Sequence, residues 1–228
     1  MTFDTLQDTI SVHFTDINLL HQAFYHRSYL NEERTIRESN ERLEFLGDAI
    51  LSFLTSSQLY KKFPQYPEGT LTNIRSSIVR TTSLAKAAAS LSFGDLLFLS
   101  HGEEESGGRK NQSLLADSFE AFLGAVYLEQ GIETVKTFLE TYLFPEIDTI
   151  VQEKSYIDFK SLLQEVVQEK SRFSPIYTVT KSEGPDHDRT FYIDALNQTV
   201  VLGSGKGKSK QEAEQQAAKN ALEKMGKI

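Results

Sequence analysis

Between Glu41 and Leu51 the sequence lays two requirements on one helix. Leu43, Leu46, Ile50 and the pair Phe53-Leu54 recur at steps of three and four, the mark of an apolar face turned to a core. Glu41, Glu44 and Asp48 stand at i, i+3 and i+7, so the same helix aligns three carboxylates in a second row. Like charges so placed repel by about 0.2–0.5 kcal/mol per pair on an exposed helix. The cost rises where large apolar neighbours draw them into a half-buried seam. A solvated acidic face near a helix start would need no ligand, since the dipole favours acids there. A half-buried seam calls for a cation, and an oxygen-only donor set suits Mg2+, with Mn2+ as a substitute.

A second helix repeats the problem. From Ser113 to Tyr127 nearly every position is apolar or small, which predicts a buried helix, yet Asp117 and Glu120 share a face at i and i+3. Neither has Lys or Arg three or four residues away. Buried carboxylates must be paired, protonated or metal-bound, so metal binding or catalysis outweighs a structural role here.

The run Glu41-Arg42-Leu43-Glu44-Phe45-Leu46-Gly47-Asp48-Ala49 resembles, without a break, the nuclease motif of the ribonuclease III family. Ala116-Asp117-Ser118-Phe119-Glu120-Ala121 is similar to that family's second acidic motif. The resemblance also gives Glu68 a place in the catalytic valley, where the residue alone reads equally as a helix-start acid. His26, in His-Arg-Ser, reads as a general base, a ligand or a structural histidine. The family has a similar His-x-Ser segment, read as packing beneath the site.

Charge has to be split to be informative. The chain of 228 residues carries 24 Lys and Arg against 32 Asp and Glu, a net −8 that argues against nucleic acid. Residues 155–228 hold 11 against 10, and residues 1–154 hold 13 against 22. An acidic part able to hold metal thus precedes a near-neutral part able to hold phosphate. There is no cysteine, so disulfides and thiolate metal sites are excluded, in keeping with a reducing cytoplasm. No stretch reads as a secretory signal or a membrane span, so no membrane partner is expected.

The rest of the chain fills in around these motifs. Thr15-Asp16 reads as a helix cap and residues 41–62 as one helix, closed by Phe63-Pro64. Glu103 to Arg109 reads as a flexible acidic loop, and Ile147 to Ser155 as a sparsely anchored boundary. Beyond it Asp158 caps a helix carrying Phe159, Leu162, Leu163, Val166 and Val167, followed by three short strands near 176–180, 190–196 and 199–202. A Gly/Lys loop, Gly203 to Lys210, leads to a last helix. This α-β-β-β-α order resembles the double-stranded RNA-binding domain, with Gly184-Pro185-x-His187 and Gly205-Lys206-Gly207-Lys208-Ser209-Lys210 as the matching residues. A helix N-terminus with Lys206, Lys208 and Lys210 suits phosphate. Gln164 and Gln168, at i and i+4, and the loop at His187 suit the 2′-hydroxyls of an A-form minor groove. Gln211 departs from the family's second consecutive lysine, which costs one phosphate contact.

Together the resemblances imply an all-α nuclease domain over 1–150 and an α+β RNA-binding domain over 155–228. They imply metal-assisted endonucleolytic cleavage of double-stranded RNA to 5′-phosphate and 3′-hydroxyl ends, in processing of rRNA precursors and mRNA. Glu44, Asp48, Asp117 and Glu120 would be the main metal ligands, Asp48 and Glu120 the catalytic pair, with Glu41 and Glu68 contributing. A homodimer would present two sites, and Phe45, off the main apolar face, would plug into the partner. Three other readings compete: a catalytically silent RNA-binding protein, which should lack some of these acids; a di-iron carboxylate protein, which would want Glu-x-x-His pairs that neither helix has; and an enzyme whose main role is to chaperone or regulate RNA by binding, a role that sequence leaves open alongside cleavage.

Overall fold

The computed structural model describes residues 1–171, 173–185 and 188–228 and divides into two compact units, Met1–Tyr156 and Ile157–Ile228. In the first unit the helices are α1 (Phe3–Ile10), α2 (Ile17–Gln22), α3 (Glu41–Lys62), α4 (Glu68–Ile78), α5 (Thr81–Ser90), α6 (Phe93–Leu96), α7 (His101–Glu105), α8 (Gln112–Gln130), α9 (Ile132–Tyr142) and α10 (Glu146–Gln152). The core is built round α8, whose Phe119, Phe122, Leu123 and Val126 are fully buried. Phe24, Phe93 and Phe138 close on Phe122 with ring centroids 5.3–6.2 Å away. Asp16 caps α2 as its sequence implies, accepting from the Asn18 amide, and Asn111 caps α8 by accepting from Ser113 at 2.9 Å.

Two stretches are more ordered than their composition implies. Glu103–Arg109 is not a flexible loop. Ser100 caps α7 by accepting from the Glu103 amide, and Gly108–Lys110 forms a 3-10 turn. Arg109 holds this turn in place. Its Nη1 donates to the carbonyls of Gly94 and Leu97, both at 2.9 Å, and its Nε donates to Glu104 at 2.7 Å. A partly buried guanidinium that satisfies two backbone carbonyls and a carboxylate stabilises by about 2–3 kcal/mol. Arg109→Ala is therefore expected to lower Tm by about 5–10 °C in a thermal melt, and Arg109→Lys, without the fork, recovers little of it. Ile147–Ser155 is likewise not a loose boundary, because Ile147 and Ile150, spaced i and i+3, are buried as the inner face of α10. Lys62 at the end of α3 meets Asp148 of α10 at 2.7 Å.

The second unit runs α11 (Phe159–Ser171), β1 (Ile176–Glu183), β2 (Thr190–Asn197), β3 (Val200–Gly207) and α12 (Lys210–Lys224). The strands form an antiparallel sheet in the order β1-β2-β3. Phe159, Leu163, Val166, Val167, Ala195 and Leu222 make its core, and Asp158 caps α11, accepting from the Lys160 and Ser161 amides. The Gly/Lys segment is largely strand. Gly203 and Gly205 pair in register with Ala195 and Ile193. A Cβ on Gly203 or Gly205 would stand 2.5 or 2.3 Å from the backbone nitrogen of Ala221 or Ala217 in α12. Helix and strand meet backbone to backbone, with only alanines between them.

Candidate metal centre and phosphate-binding surface

The acidic helices α3 and α8 cross at two glycines. A Cβ on Gly47 would lie 1.8 Å from the Glu120 carbonyl oxygen, and one on Gly124 would lie 2.3 Å from the Leu43 carbonyl oxygen. No other residue type fits at either point. The contact delivers Glu44 from α3 to Asp117 and Glu120 from α8, with carboxylate oxygens all within 4.8 Å of one another. All three side chains are half-buried.

Electrostatics registers the crowding. Burial pushes the Glu120 carboxyl up to about 8, with the charges of Asp48, Glu44 and Asp117 adding to it. Glu44 is raised by burial first, then by Asp117, Glu41 and Asp48. Asp117 is raised by burial, and the imidazole of His26 pulls it the other way. Three converging oxygen donors whose charges resist coexistence, with no basic side chain hydrogen-bonded to any of them among the described residues, fit a hard divalent cation.

The remaining predicted acids lie around this group. Asp48 is exposed one turn along α3 and acts on Glu120 through its charge. Glu41 is exposed and engaged outward, accepting from Ser39 Oγ at 2.8 Å and pairing with Arg27 at 3.4 Å. Glu68 opens α4, is exposed, and accepts from Thr72 Oγ1 at 2.9 Å; the structure does not bring it to the cluster. Phe45 is 81 % exposed beside a shallow cavity lined by Leu19, Leu43, Leu46 and Leu128. Phe53, expected on the core-facing side with Leu54, is instead 64 % exposed while Leu54 is buried, and Tyr60, further along α3, is 75 % exposed. Their spacing from Phe45, eight and then seven residues, was the available signal.

In the second unit Lys208 and Lys210 stand exposed at the start of α12, where Ser209 and Glu212 form a capping box. Ser209 Oγ accepts from the Glu212 amide at 3.1 Å, and Glu212 accepts from the Lys208 amide at 2.7 Å. Lys208 also pairs with Asp188 at 2.5 Å. Lys206 does not belong with them. It lies in β3 opposite Tyr192, between two glycines that face α12, so its side chain projects from the other face of the sheet. Gln164 and Gln168 are exposed on α11, with Gln168 donating to Ser174 Oγ at 2.9 Å. His187 lies outside the described residues.

Comparison with known proteins supplies the context. Residues 16–147 match the family model described as ribonuclease-III-like, and residues 159–225 match the double-stranded RNA binding motif. The chain is 50 % identical over 218 residues to "Ribonuclease 3" of Enterococcus faecalis, covering 95 % of this chain and 94 % of that one. It is also 50 % identical over 226 residues to "Ribonuclease 3" of Bacillus licheniformis, covering 99 % and 90 %. A solved nuclease domain of ribonuclease III from Campylobacter jejuni, described for flexibility in a region involved in dimer formation, superposes with a TM-score of 0.59. It is 38 % identical and covers 63 % of this chain and 99 % of that one. Among the described residues no helix is long and apolar enough to cross a membrane.

Proposed function

The chain belongs to the ribonuclease III family and is a double-strand-specific endoribonuclease, and from that premise we propose that Glu44, Asp117 and Glu120, with Asp48 beside them, hold Mg2+ and carry the cleavage. The observation that supports this most is the convergence of the three carboxylates at the α3–α8 crossing. Bound there, the cation supplies Lewis-acid charge that activates a water and stabilises the leaving 3′ oxygen, leaving 5′-phosphate and 3′-hydroxyl ends. The chain's own part is to fix the donors. The crossing sets their spacing, Glu120 gives up its proton when the site fills, and Asp48 stands beside it as the second catalytic carboxylate. Glu41 supports through its charge on Glu44, and Glu68, apart from the cluster at the start of α4, is assigned no contact with the cation. The site acts in the cytoplasm on rRNA precursors and mRNA.

Residues 1–150 are assigned the cutting and 155–228 the grip on the duplex. Lys210 and Lys208 take phosphate at the α12 N-terminus, and Gln164, Gln168 and His187 reach the minor groove. Lys206, on the opposite face, drops out of that surface. Lys210→Ala is expected to reduce the slope of log affinity against log salt by about 0.9, whereas Lys206→Ala leaves it unchanged; filter binding across a salt series reads both.

Two strands need two sites, so the working form is a homodimer. Phe45 docks in the partner copy, and the exposed Phe53 and Tyr60 extend the contact along α3. Phe45→Asp should sediment as a monomer where the parent sediments as a dimer; two dimers would remove Phe45 from the interface. For the function as a whole, long duplex RNA is incubated with the protein in magnesium, in calcium and in chelator. Short duplexes in magnesium alone, with binding kept in calcium, are expected. Binding without cleavage in magnesium or manganese would make the carboxylates structural.

A further inference from the structure

Resting on the placement of the cut at the α3–α8 crossing, we propose that Arg75 is a further substrate-binding residue: its guanidinium takes a backbone phosphate of the duplex other than the one being cut. Arg75 lies on α4 and reaches across to α3, where its Nη1 donates to Ser56 Oγ at 3.0 Å. Ser56 uses its own hydrogen on the Ser52 carbonyl, donating at 2.7 Å, so towards Arg75 it can only accept. A hydroxyl is a neutral partner for a fixed positive charge. Among the described residues no carboxylate pairs with Arg75; Glu68, on the same helix, accepts from Thr72 instead.

That isolation stands out in an acidic unit. Residues 1–154 hold 22 Asp and Glu against 13 Lys and Arg, so carboxylates are in excess. The other half-buried arginine among the described residues, Arg109, takes Glu104 and the carbonyls of Gly94 and Leu97. Arg27 and Arg42, though exposed, pair with Glu41 and Glu38. A guanidinium presents a planar fork of N–H donors. In Arg75 the rest of that fork has no acceptor among the described residues. A half-buried charge left so is costly, and an anion from outside offsets the cost. Phosphate meets the fork with two parallel hydrogen bonds, and duplex RNA brings phosphates in a row.

The position on α3 says which phosphate. Glu44, Asp48, Ser52 and Ser56 follow one another at steps of four, a single ridge leading away from the carboxylate cluster. At about 1.5 Å per residue, Ser56 lies about 12 Å along the helix from Asp48. That is too far to serve the phosphorus under attack, and it suits a phosphate elsewhere on the duplex. Ser52, half-buried and one turn nearer the cluster, has a hydroxyl without a hydrogen-bond partner among the described residues, and it supplies a second donor on the same line.

Four substitutions separate a phosphate contact from a brace between α3 and α4. R75M keeps the aliphatic stem without the charge, R75Q replaces the charge with an amide, and R75K keeps a charge without the fork. S56A removes the bond between the helices and leaves the guanidinium. Full-length proteins are compared for duplex RNA affinity in calcium across a salt series, for Tm, for Mn2+ uptake by calorimetry, and for kcat and KM in magnesium. R75M and R75Q are expected to reduce the slope of log affinity against log salt by about 0.9 and to raise KM about tenfold, with kcat and Mn2+ affinity near wild type. R75K should restore the slope without the full affinity, and S56A should keep the wild-type slope. If R75M and R75Q lower Tm as S56A does and keep the wild-type slope, Arg75 is a brace and the proposal is overturned. A fall in kcat at unchanged KM would overturn it too, by placing Arg75 at the reacting phosphorus. A wild type that takes up no Mn2+ would overturn the metal centre alone, because the salt slope is read without cleavage and still decides whether Arg75 holds phosphate.

Discussion

Gly47→Ala will cut duplex RNA about a hundredfold more slowly than the parent and melt about 5–10 °C lower. The added methyl must occupy a point 1.8 Å from the Glu120 carbonyl oxygen, in the backbone of α8. No side chain can rotate away to admit it, so the helices must separate. Overpacking of this kind costs about 1–3 kcal/mol and sometimes more, which a unit of this size reads as several degrees. Separation also moves Glu44 away from Asp117 and Glu120, and a displacement of about 1 Å at a reacting site costs about a hundredfold. Gly124→Ala should do the same from the other side, against the Leu43 carbonyl. The controls are Gly69→Ala and Gly102→Ala, helical positions with nothing within 4 Å. There alanine gains about 1 kcal/mol of helix propensity, so Tm should rise and cleavage should hold. If Gly47→Ala behaves like Gly69→Ala in scanning fluorimetry and in the cleavage assay, the crossing does not set the site.

Glu120→Gln carries the other large effect, with opposite signs in stability and in activity. Cleavage should fall by about a thousandfold, the rate equivalent of several kcal/mol of metal-derived stabilisation, while duplex RNA binding in calcium is retained. The metal-free protein should nevertheless gain stability at pH 8. Glu120 is held at about 8 in the fold, against an ordinary 4.5. Between those values the native state keeps a proton that the unfolded chain has lost, so stability declines as pH rises through the window and levels off above it. With allowance for solvent screening of a half-buried carboxylate, the decline is about 1–2 kcal/mol. The difference in unfolding free energy between Glu120→Gln and wild type, measured in chelator from pH 5 to 9, isolates this group from the other carboxyls. It should grow from pH 5 to 8, and magnesium should reduce it by holding the wild-type carboxylate ionised. A difference curve flat with pH would show that Glu120 is not neutral in the metal-free fold.

The acidic rows were legible because helical periodicity alone puts Glu44 with Asp48 and Asp117 with Glu120. What periodicity does not carry is which helices cross, and where. The signal for that lay in Gly47 and Gly124, since a glycine inside a helix costs about 1 kcal/mol and usually has a packing reason. The strand from Gly203 to Gly207 was missed for a related reason. Its residues alternate with period two as a strand requires, but the inward positions are glycines, so a search for alternating hydrophobicity passes over them. Lys206 was accordingly placed on the wrong face. The stretch 103–109 was misread because a run of glutamates resembles solvated loop. Its order comes from the Ser100 cap and from Arg109 reaching back to Gly94 and Leu97, contacts that local composition does not encode. Glu41, Glu44 and Asp48 looked equivalent in the sequence. The packed helix half-buries Glu44 and leaves Glu41 and Asp48 exposed, although Asp48, next to Gly47, still acts on Glu120 through its charge.

The two halves of the carboxylate cluster also differ in when they come to exist. Glu44 leaves the ribosome early, whereas Asp117 and Glu120 belong to a helix near the far end of the same unit. No local hairpin joins them, so the contact waits for a long-range docking step. A growing chain therefore has no assembled cluster until α8 has been made and has found α3. The sheet of the second unit, with its strands paired in sequence order, needs only neighbours to form. The cluster is therefore complete only when its own folding unit is complete.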